Sequence, residues 1–532
     1  MTRIIFSLSL ILLINNAKAQ GPLPTDYLTK EFHAERRNAL RQLMPDNSVI
    51  VIFAFPERAF SWDINYTYHP NPDLYYFSGY KEPGSVLLLF KEIQGNGDAA
   101  YNELFYVRQK NPLREQWTGR RLGVQGVQKE LGFKQVFNAD DFKNLKVDFT
   151  KFDKVIYDAL PTDIGNDKLL SLVNTFKQKA NITQVDIKEL AQAFDVIENF
   201  TTAANVVSRA ARLKTSMDES DNADFKSNPL LLQLINNPDA TTLASVIKKI
   251  KSNPNITHEF YRLTASLREI KTPQELALLR KSVFMSAIAH KEIMKAITPK
   301  MSEAELSGIF EYVHKKYGAE GEGYPPIVGA GANGCILHYM DNNVTEIKNN
   351  LVLMDVASEY HGYSADITRT VPSTGKFTTE QRAIYQIVLN AQEDVMKICK
   401  EGTPFASLNE KATEILIKGL LQLGIIKDVK EAPLYILHSC SHHMGLDVHD
   451  KSITPTLKQN MVITVEPGIY IPKGSPCDPK WWDISVRIED DVLIGKNGCE
   501  NLSVAAPRKV TDVEAMTTGK SIFNDIVLPK LN

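Results

Sequence analysis

Cysteine is scarce in this chain. Its five cysteines, Cys335, Cys399, Cys440, Cys477 and Cys499, are odd in number and nowhere fall in a CxxC spacing. That pattern excludes a disulfide scaffold and a thiolate metal site, and leaves small buried thiols as the expected state of most of them. Cys477 with Cys499 is the one conceivable disulfide if the chain is exported. A surplus of either charge is also missing. With 61 basic and 63 acidic residues the net charge is −2, which gives no electrostatic ground for a nucleic-acid partner or an acidic membrane surface. Basic stretches such as Lys248, Lys249 and Lys251 are short and read as solvated helix faces. No GxGxxG or P-loop pattern follows any strand-like run, so no nucleotide site is expected. Nor does any apolar run approach the ~20 residues that a membrane-spanning helix takes.

What is present begins at the N-terminus. Arg3, the apolar run Ile4 to Ile14 and the small-residue exit Ala17-Lys18-Ala19 form the three parts of a secretory signal peptide over residues 1–19. No cysteine stands near the exit, which disfavours a lipid anchor. The expectation is a mature chain starting near Gln20, exported and soluble.

At 532 residues, with 43% hydrophobic and 23% charged side chains, the chain is an ordinary globular protein of two or more domains. Residues 20–199 alternate strands and helices. Val49 to Ala54, Val86 to Phe90, Leu104 to Val107 and Val155 to Tyr157 are short apolar runs bounded by turn residues, as buried strands are. Residues 200–264 turn polar and carry Asn228-Pro229, Asn237-Pro238 and Asn253-Pro254, pairs that favour turns and stop helices. A helical connector or insertion is expected there. Residues 265–520 form a second compact unit. Thr272-Pro273-Gln274-Glu275 is a helix-start box, after which Leu276, Leu279, Val283 and Ala287 keep one apolar stripe. Ser302 to Glu305 and Thr378 to Gln381 repeat the start signal. Hairpin strands are expected from Leu351, and strands again at Met461 to Val465 and Ile484 to Ile494. Two helix-then-hairpin blocks, each with two acids, suggest an internal duplication. The fold class expected is therefore α+β, an α/β N-terminal domain followed by a duplicated helix and antiparallel-sheet domain.

The chemistry is concentrated in the last third, in Asp355, Asp366, His442, Glu466 and Glu489. Four acids stand in or beside apolar strand-like runs, where an ionised carboxylate costs several kcal/mol unless paired. The sequence shows no matching cluster of Lys or Arg beside them. Two divalent cations would supply the charge, and oxygen ligands with one imidazole suit them. In LVLMDVASEYHGYSADITRT a hairpin turning at His361-Gly362 sets Thr368 opposite Asp355, with Asp366 its diagonal neighbour on the same face. The run HSCSHHMGLDVHD holds four of the eleven histidines, and its Gly445-Leu446 argues for a tight turn. Glu466 ends a strand at Pro467-Gly468. Arg487 and Glu489 share a face by alternation, so an ordinary Arg–Glu ion pair is the plain alternative for them.

These motifs, in this order and spacing, resemble the pita-bread metallopeptidases of the Xaa-Pro aminopeptidase (aminopeptidase P) and prolidase type. GAGANGCILHYMDN with His338, PDLYYFSGY from Pro72 and REQWTGRRLG from Arg114 extend the resemblance over nearly everything except the signal peptide and the connector. The resemblance implies that Asp355, Asp366, His442, Glu466 and Glu489 bind two divalent ions, usually Mn2+, with Zn2+ or Co2+ as alternatives. It implies that His338 and His449 line the scissile bond and that His438 and Arg487 shape the substrate pocket. Glu466 would move a proton from a metal-activated hydroxide towards the leaving proline nitrogen. The implied substrates are peptides with proline in second position. The implied assembly is a homo-oligomer, dimer or tetramer, in which the Trp117 loop approaches a neighbour's active site. Two departures stand out: Asp-Val-Ala replaces the usual Asp-Ala-Gly at Asp355, and the connector is long. A dipeptide-restricted prolidase, a metal-free creatinase-like relative and a non-catalytic peptide-binding descendant are the rival readings. The intact ligand set counts against the last two.

Overall fold

The computed structural model describes residues 25–158, 160, 168–182, 193, 196, 206–251, 259–526, 528 and 529. The signal segment 1–19, the expected start at Gln20 and the Asn253-Pro254 pair lie outside the described residues.

Val49 to Phe53 and Val86 to Phe90 are β-branched, leucine and aromatic runs, and their strands Ser48–Phe53 and Val86–Gln94 form the centre of a five-stranded sheet. Tyr101–Val107 pairs antiparallel on one side, with Val136–Asn138 parallel beyond it, and Lys154–Tyr157 runs parallel to Ser48–Phe53 on the other. Period-two alternation sends Val49, Val51, Val86 and Leu88 to a core shared with the helix Lys168–Lys179. Ile50, Ile52, Leu87 and Leu89 face the other way. They join Phe32, Tyr75 and Tyr76 in a cluster that also takes in Tyr360, Tyr363, Met444 and Leu446 from the C-terminal half. One apolar core therefore spans the two halves, and the N-terminal sheet packs against the elements that carry the candidate site.

Helices Val206–Glu219, Ala223–Lys226, Pro229–Asn236 and Ala240–Lys251 follow, built around their own cluster of Leu213, Leu231, Leu234 and Val246. Asn228-Pro229 starts a helix rather than stopping one: the Asn228 side chain accepts from the amides of Leu230 and Leu231, and proline fills the first helical position. The helix Glu259–Arg268 then leads into the C-terminal half.

There the three expected start signals are all capping boxes, at Thr272/Glu275, Ser302/Glu305 and Thr378/Gln381. They open helices Pro273–Ala296, Glu303–Tyr317 and Thr379–Ile398, and Ala406–Gln422 completes a second pair. Each helix pair precedes a set of antiparallel strands. In the first set Leu351–Val356 pairs with Ile367–Pro372 in the expected register, Asp355 opposite Thr368. Tyr360 pairs with Tyr363 across the His361-Gly362 turn, where both residues have positive φ. In the second set the run Ile484 to Ile494 is two strands rather than one. Ile484–Arg487 pairs with Gly468–Ile471, whereas Asp490–Ile494 pairs with Val462–Val465 in a different sheet. The chain changes sheets at Ile488-Glu489. All five cysteines are free, so the Cys477–Cys499 disulfide is not formed. Cys477 packs at the edge of the main core, while Cys499 lies in a separate cluster and donates to the Met396 carbonyl at 3.4 Å.

Candidate active site

Both strand interruptions release an acid from regular pairing. In the first hairpin the ladder breaks at Ala365-Asp366, and the Asp366 amide turns to Asp491 Oδ2 at 3.1 Å. In the second the break frees Glu489, whose amide donates to the Thr368 carbonyl at 3.1 Å. Two acids thus leave regular pairing and meet between the two strand sets. Asp355 stays in its strand on the same face. Tyr324 joins them: its hydroxyl donates to Asp355 Oδ1 and, at 2.5 Å, to Asp366 Oδ1. Thr368, opposite Asp355, donates to Glu489 Oε2 at 2.6 Å.

The other donors come from the histidine run and from the end of the strand Val462–Val465. His442 Nε2 stands 3.3 Å from both Asp366 Oδ2 and Glu466 Oε1. Its Nδ1 lies 3.0 Å from the His443 carbonyl, and its backbone amide donates to Thr464 Oγ1, which itself donates to Glu466 Oε1. His438 Nδ1 lies 3.5 Å from Glu466 Oε2, and its Nε2 is 2.8 Å from the Tyr470 hydroxyl. His449 packs edge-on to His442 with ring centroids 4.2 Å apart. His338 is exposed and lies close enough to His438 and His449 to disfavour their charged forms. His443, the fourth histidine of the run, leaves the group and stacks on Phe405.

One basic side chain reaches the acids, Arg487, which the alternation already set on the face of Glu489, and its main partner is Asp355 rather than Glu489. Arg487 is buried, and its Nη2 donates to Asp355 Oδ2. Its Nη1 bonds the Tyr470 hydroxyl at 2.8 Å and its Nε bonds Thr368 Oγ1 at 3.0 Å. Its separation from Glu489 is 4.0 Å, so Asp355 and not Glu489 is its principal ion partner. Arg487 is oriented by three residues before any ligand arrives.

Electrostatics follow from burial. Removal from water, reinforced by Asp366, Glu466 and Asp355, holds Glu489 far above the usual carboxylate range. Burial raises Asp355 against the opposing pull of Arg487. Glu466 is pushed up to about 7, by burial first and then by Asp366 and Asp355, with His442 and Arg487 opposing. Burial works against the charged form of His442, but the hydrogen bond its ring donates to Asp366 and the charge of Glu466 carry it to about 9. Such raised values mark carboxylates gathered without enough positive charge.

The donor set fits a hard or borderline divalent cation. Asp366, His442 and Glu489 each bring one donor atom within 4.8 Å of the others. Carboxylate oxygens with one neutral imidazole are the ligands Mn, Zn and Co take. Glu466 adjoins this group through His442, and Asp355 adjoins it through Tyr324. Sequence reasoning placed Thr368 by register without giving it a role, and missed Tyr324, Tyr470 and Arg369. The last is fully buried and donates to the carbonyls of Thr368, Glu489, Ala506 and Pro507 and to Asp490 at 2.5 Å, fixing the backbone that carries Glu489.

Comparison with known proteins agrees with this geometry. Residues 277–496 match the model of metallopeptidase family M24, and residues 33–157 match that of the aminopeptidase P N-terminal domain. The chain is 32% identical to Xaa-Pro aminopeptidase of Escherichia coli, over 92% of this chain and 98% of the relative. It is 29% identical to the mitochondrial intermediate cleaving peptidase 55 of Arabidopsis thaliana, over 91% and 82%. The structure of Escherichia coli aminopeptidase P with the inhibitor Pro-Leu superposes with a TM-score of 0.71 at 29% identity, over 92% of this chain and 98% of that one. The chain belongs to metallopeptidase family M24, in its aminopeptidase P branch with the pita-bread fold. It is a metallo-aminopeptidase that works with divalent metal.

Proposed function

We propose that this chain is an exported Xaa-Pro aminopeptidase, removing the N-terminal residue from peptides with proline in second position. The observation that carries the reading is the convergence of Asp355, Asp366, His442, Glu466 and Glu489 from separate segments onto one buried centre. Four ionised carboxylates with Arg487 leave a net charge of −3, which one divalent ion cannot balance and two can. Bound there, a pair of ions, Mn2+ by preference with Zn2+ or Co2+ as alternatives, supplies a water of lowered pKa and polarises a carbonyl. The relatives support metal exchange, since an Escherichia coli aminopeptidase P structure is described as zinc-substituted in complex with product.

The rest of the reaction falls to side chains of this chain. Glu466, held near neutrality when metal-free and not committed to an ion pair with Arg487, is the group to take a proton from the attacking water and pass it to the leaving proline nitrogen. His338 and His449 stand at the exposed side of the centre, where imidazole N–H groups can steady the developing oxyanion. His438 and Arg487, tied together through the Tyr470 hydroxyl, form a fixed wall for the substrate. The bond before proline has no N–H, so a rigid pocket that selects the ring replaces recognition of an extended backbone.

Export rests on the three-part leader of residues 1–19. Among the described residues no helix is long and apolar enough to cross a membrane. Self-association is supported by large apolar side chains exposed on the N-terminal domain, Phe60, Trp62, Ile64 and Tyr66 around one hairpin and Trp117 on the helix Pro112–Thr118. The deciding assay uses mature protein, chelated and then given Mn2+, Co2+ or Zn2+, with Arg-Pro-Pro and Gly-Pro as substrates. Metal-dependent release of arginine is expected. Cleavage of the dipeptide alone would make it a prolidase, and turnover unaffected by chelation would end the metallo-reading.

A further inference from the structure

Away from the acid centre, the densest group of buried charges surrounds the loop that carries His449. Arg268, at the end of the helix Glu259–Arg268, is 1% exposed. Its Nη1 donates to Asp73 Oδ1 at 2.8 Å, and its Nη2 donates to Asp447 Oδ2 at 2.6 Å and to Asp450 Oδ1 at 2.5 Å. Lys271 Nζ donates to Asp450 Oδ2 at 2.9 Å, and Lys451 Nζ to Asp73 Oδ2 at 2.5 Å. Three cations therefore meet three carboxylates. Asp73 belongs to the N-terminal domain, on the short helix Pro72–Ser78 capped by Asn71.

Residues on either side of Arg268 hold the rest of the loop. Glu269 accepts from the amides of Ile453 and Thr454 at 3.1 and 3.2 Å and from Thr454 Oγ1 at 2.6 Å. Tyr261 donates its hydroxyl to the Ser452 carbonyl at 3.2 Å. On the other side of His449, a Cβ added to Gly445 would lie 2.1 Å from Asp450 Oδ2, so glycine is what allows the turn to close on the ion cluster. His449 itself is exposed and meets the acid centre at the edge of His442. Its place is thus set by the loop on which it stands. Buried ion networks add little net stability once desolvation is counted, and what they can supply is a fixed arrangement.

From this geometry we infer that Asp73, Arg268 and Asp450 are positioning residues, through which the N-terminal domain sets the place of His449 beside the substrate in its own subunit. The inference rests on reading His449 as a group at the scissile bond. Asp73→Asn tests it, because asparagine keeps the shape and an acceptor but leaves Arg268 and Lys451 short of one negative charge. In the metal-loaded protein, kcat on Arg-Pro-Pro is expected to fall about 10–100-fold, the range seen when groups supporting a site are removed or a reacting group is misplaced by an ångström. KM and bound metal should stay at wild-type levels, and the imidazole NMR signals of His449 should move. In a His449→Ala background the same change should cost almost nothing.

An equal loss of kcat in both backgrounds, with the His449 signals unmoved, would overturn the positioning role while leaving the peptidase reading intact. A fully active His449→Ala enzyme would instead remove the role of His449, and the inference would fall with it. If Asp73→Asn does not fold, Asp447→Asn, at a side chain 40% exposed, carries the same three measurements.

Discussion

Two of the nests of buried charge among the described residues are built on opposite plans. Around Arg268 the signs balance. Asp73 and Asp450 lie below their ordinary carboxylate range: burial alone would raise them, and the neighbouring Lys451, Arg268 and Lys271 more than reverse it, while Asp447 at the rim is raised by burial despite Arg268. Around Glu489 the signs do not balance, and Asp355, Glu466 and Glu489 are all raised, burial first and mutual repulsion after it. The first nest is complete in the protein alone. The second holds more negative charge than Arg487 and His442 can answer, and becomes complete only with cations. A balanced cluster between domains argues for architecture, and an unbalanced one argues for chemistry.

The largest expected effect breaks the comparison on its unbalanced side. Asp366→Ala or Glu489→Ala should leave a folded protein whose metal-dependent turnover falls by more than about 10³-fold, beyond the cost of losing one oxyanion donor. Retained turnover in either variant, with metal content measured, would contradict the ligand assignment. On the balanced side, Arg268→Ala strands three carboxylates against two lysines. Unfolding in denaturant should show a loss of about 3–5 kcal/mol, the same with and without added Mn2+. A loss that metal restores would mean that the two nests are not independent. Between these lies Tyr324→Phe, which removes one hydroxyl shared by Asp355 and Asp366. Weaker metal binding by about 10–100-fold is expected from a supporting group of this kind, with kcat at saturating metal little changed. Titration calorimetry of the chelated protein reads it directly.

Much of the acid centre was open to inference from the sequence, the Arg268 nest was not, and what was hidden has a physical reason. The three capping boxes depend on residues three apart, and the Asp355–Thr368 register follows from one turn and a period of two, so local rules suffice. The five acid and imidazole residues emerged because charge inside apolar runs is costly. The sheet change at Ile488-Glu489 did not emerge: Ile484 to Ile494 alternates without a proline or glycine to mark the break, and only the competing partners Gly468–Ile471 and Val462–Val465 divide it. Tyr324 precedes two prolines and carries no local sign that its hydroxyl will meet acids 31 and 42 residues on. Arg268 pairs with Asp73 across 195 residues and with Asp450 across 182. Long-range ion pairs of this sort leave no periodicity to read.

The smallest expected effect turns the same comparison into a pH dependence. Glu466 rises from an ordinary value of 4.5 to about 7 in the metal-free protein, and His442 rises from 6.5 to about 9. Asp355 and Glu489 move in the same direction. In each case the folded form binds its proton more tightly than the unfolded chain does. Stability from these groups is therefore complete below pH 4 to 5 and is lost as pH rises through 7 towards 9. Divalent ions take the place of those protons and should remove the slope. The chelated protein is accordingly expected to lose roughly a few degrees of Tm between pH 5 and 8, and the Mn2+-loaded protein to lose less. The Arg268 nest contributes the opposite sign at lower pH, because Asp73 and Asp450 are depressed and their share disappears only as pH falls below the ordinary carboxylate range. Thermal melts of chelated and loaded protein across that window separate the two contributions. Parallel curves would show that the acid centre is as balanced as its neighbour, and that cations are not what holds it together.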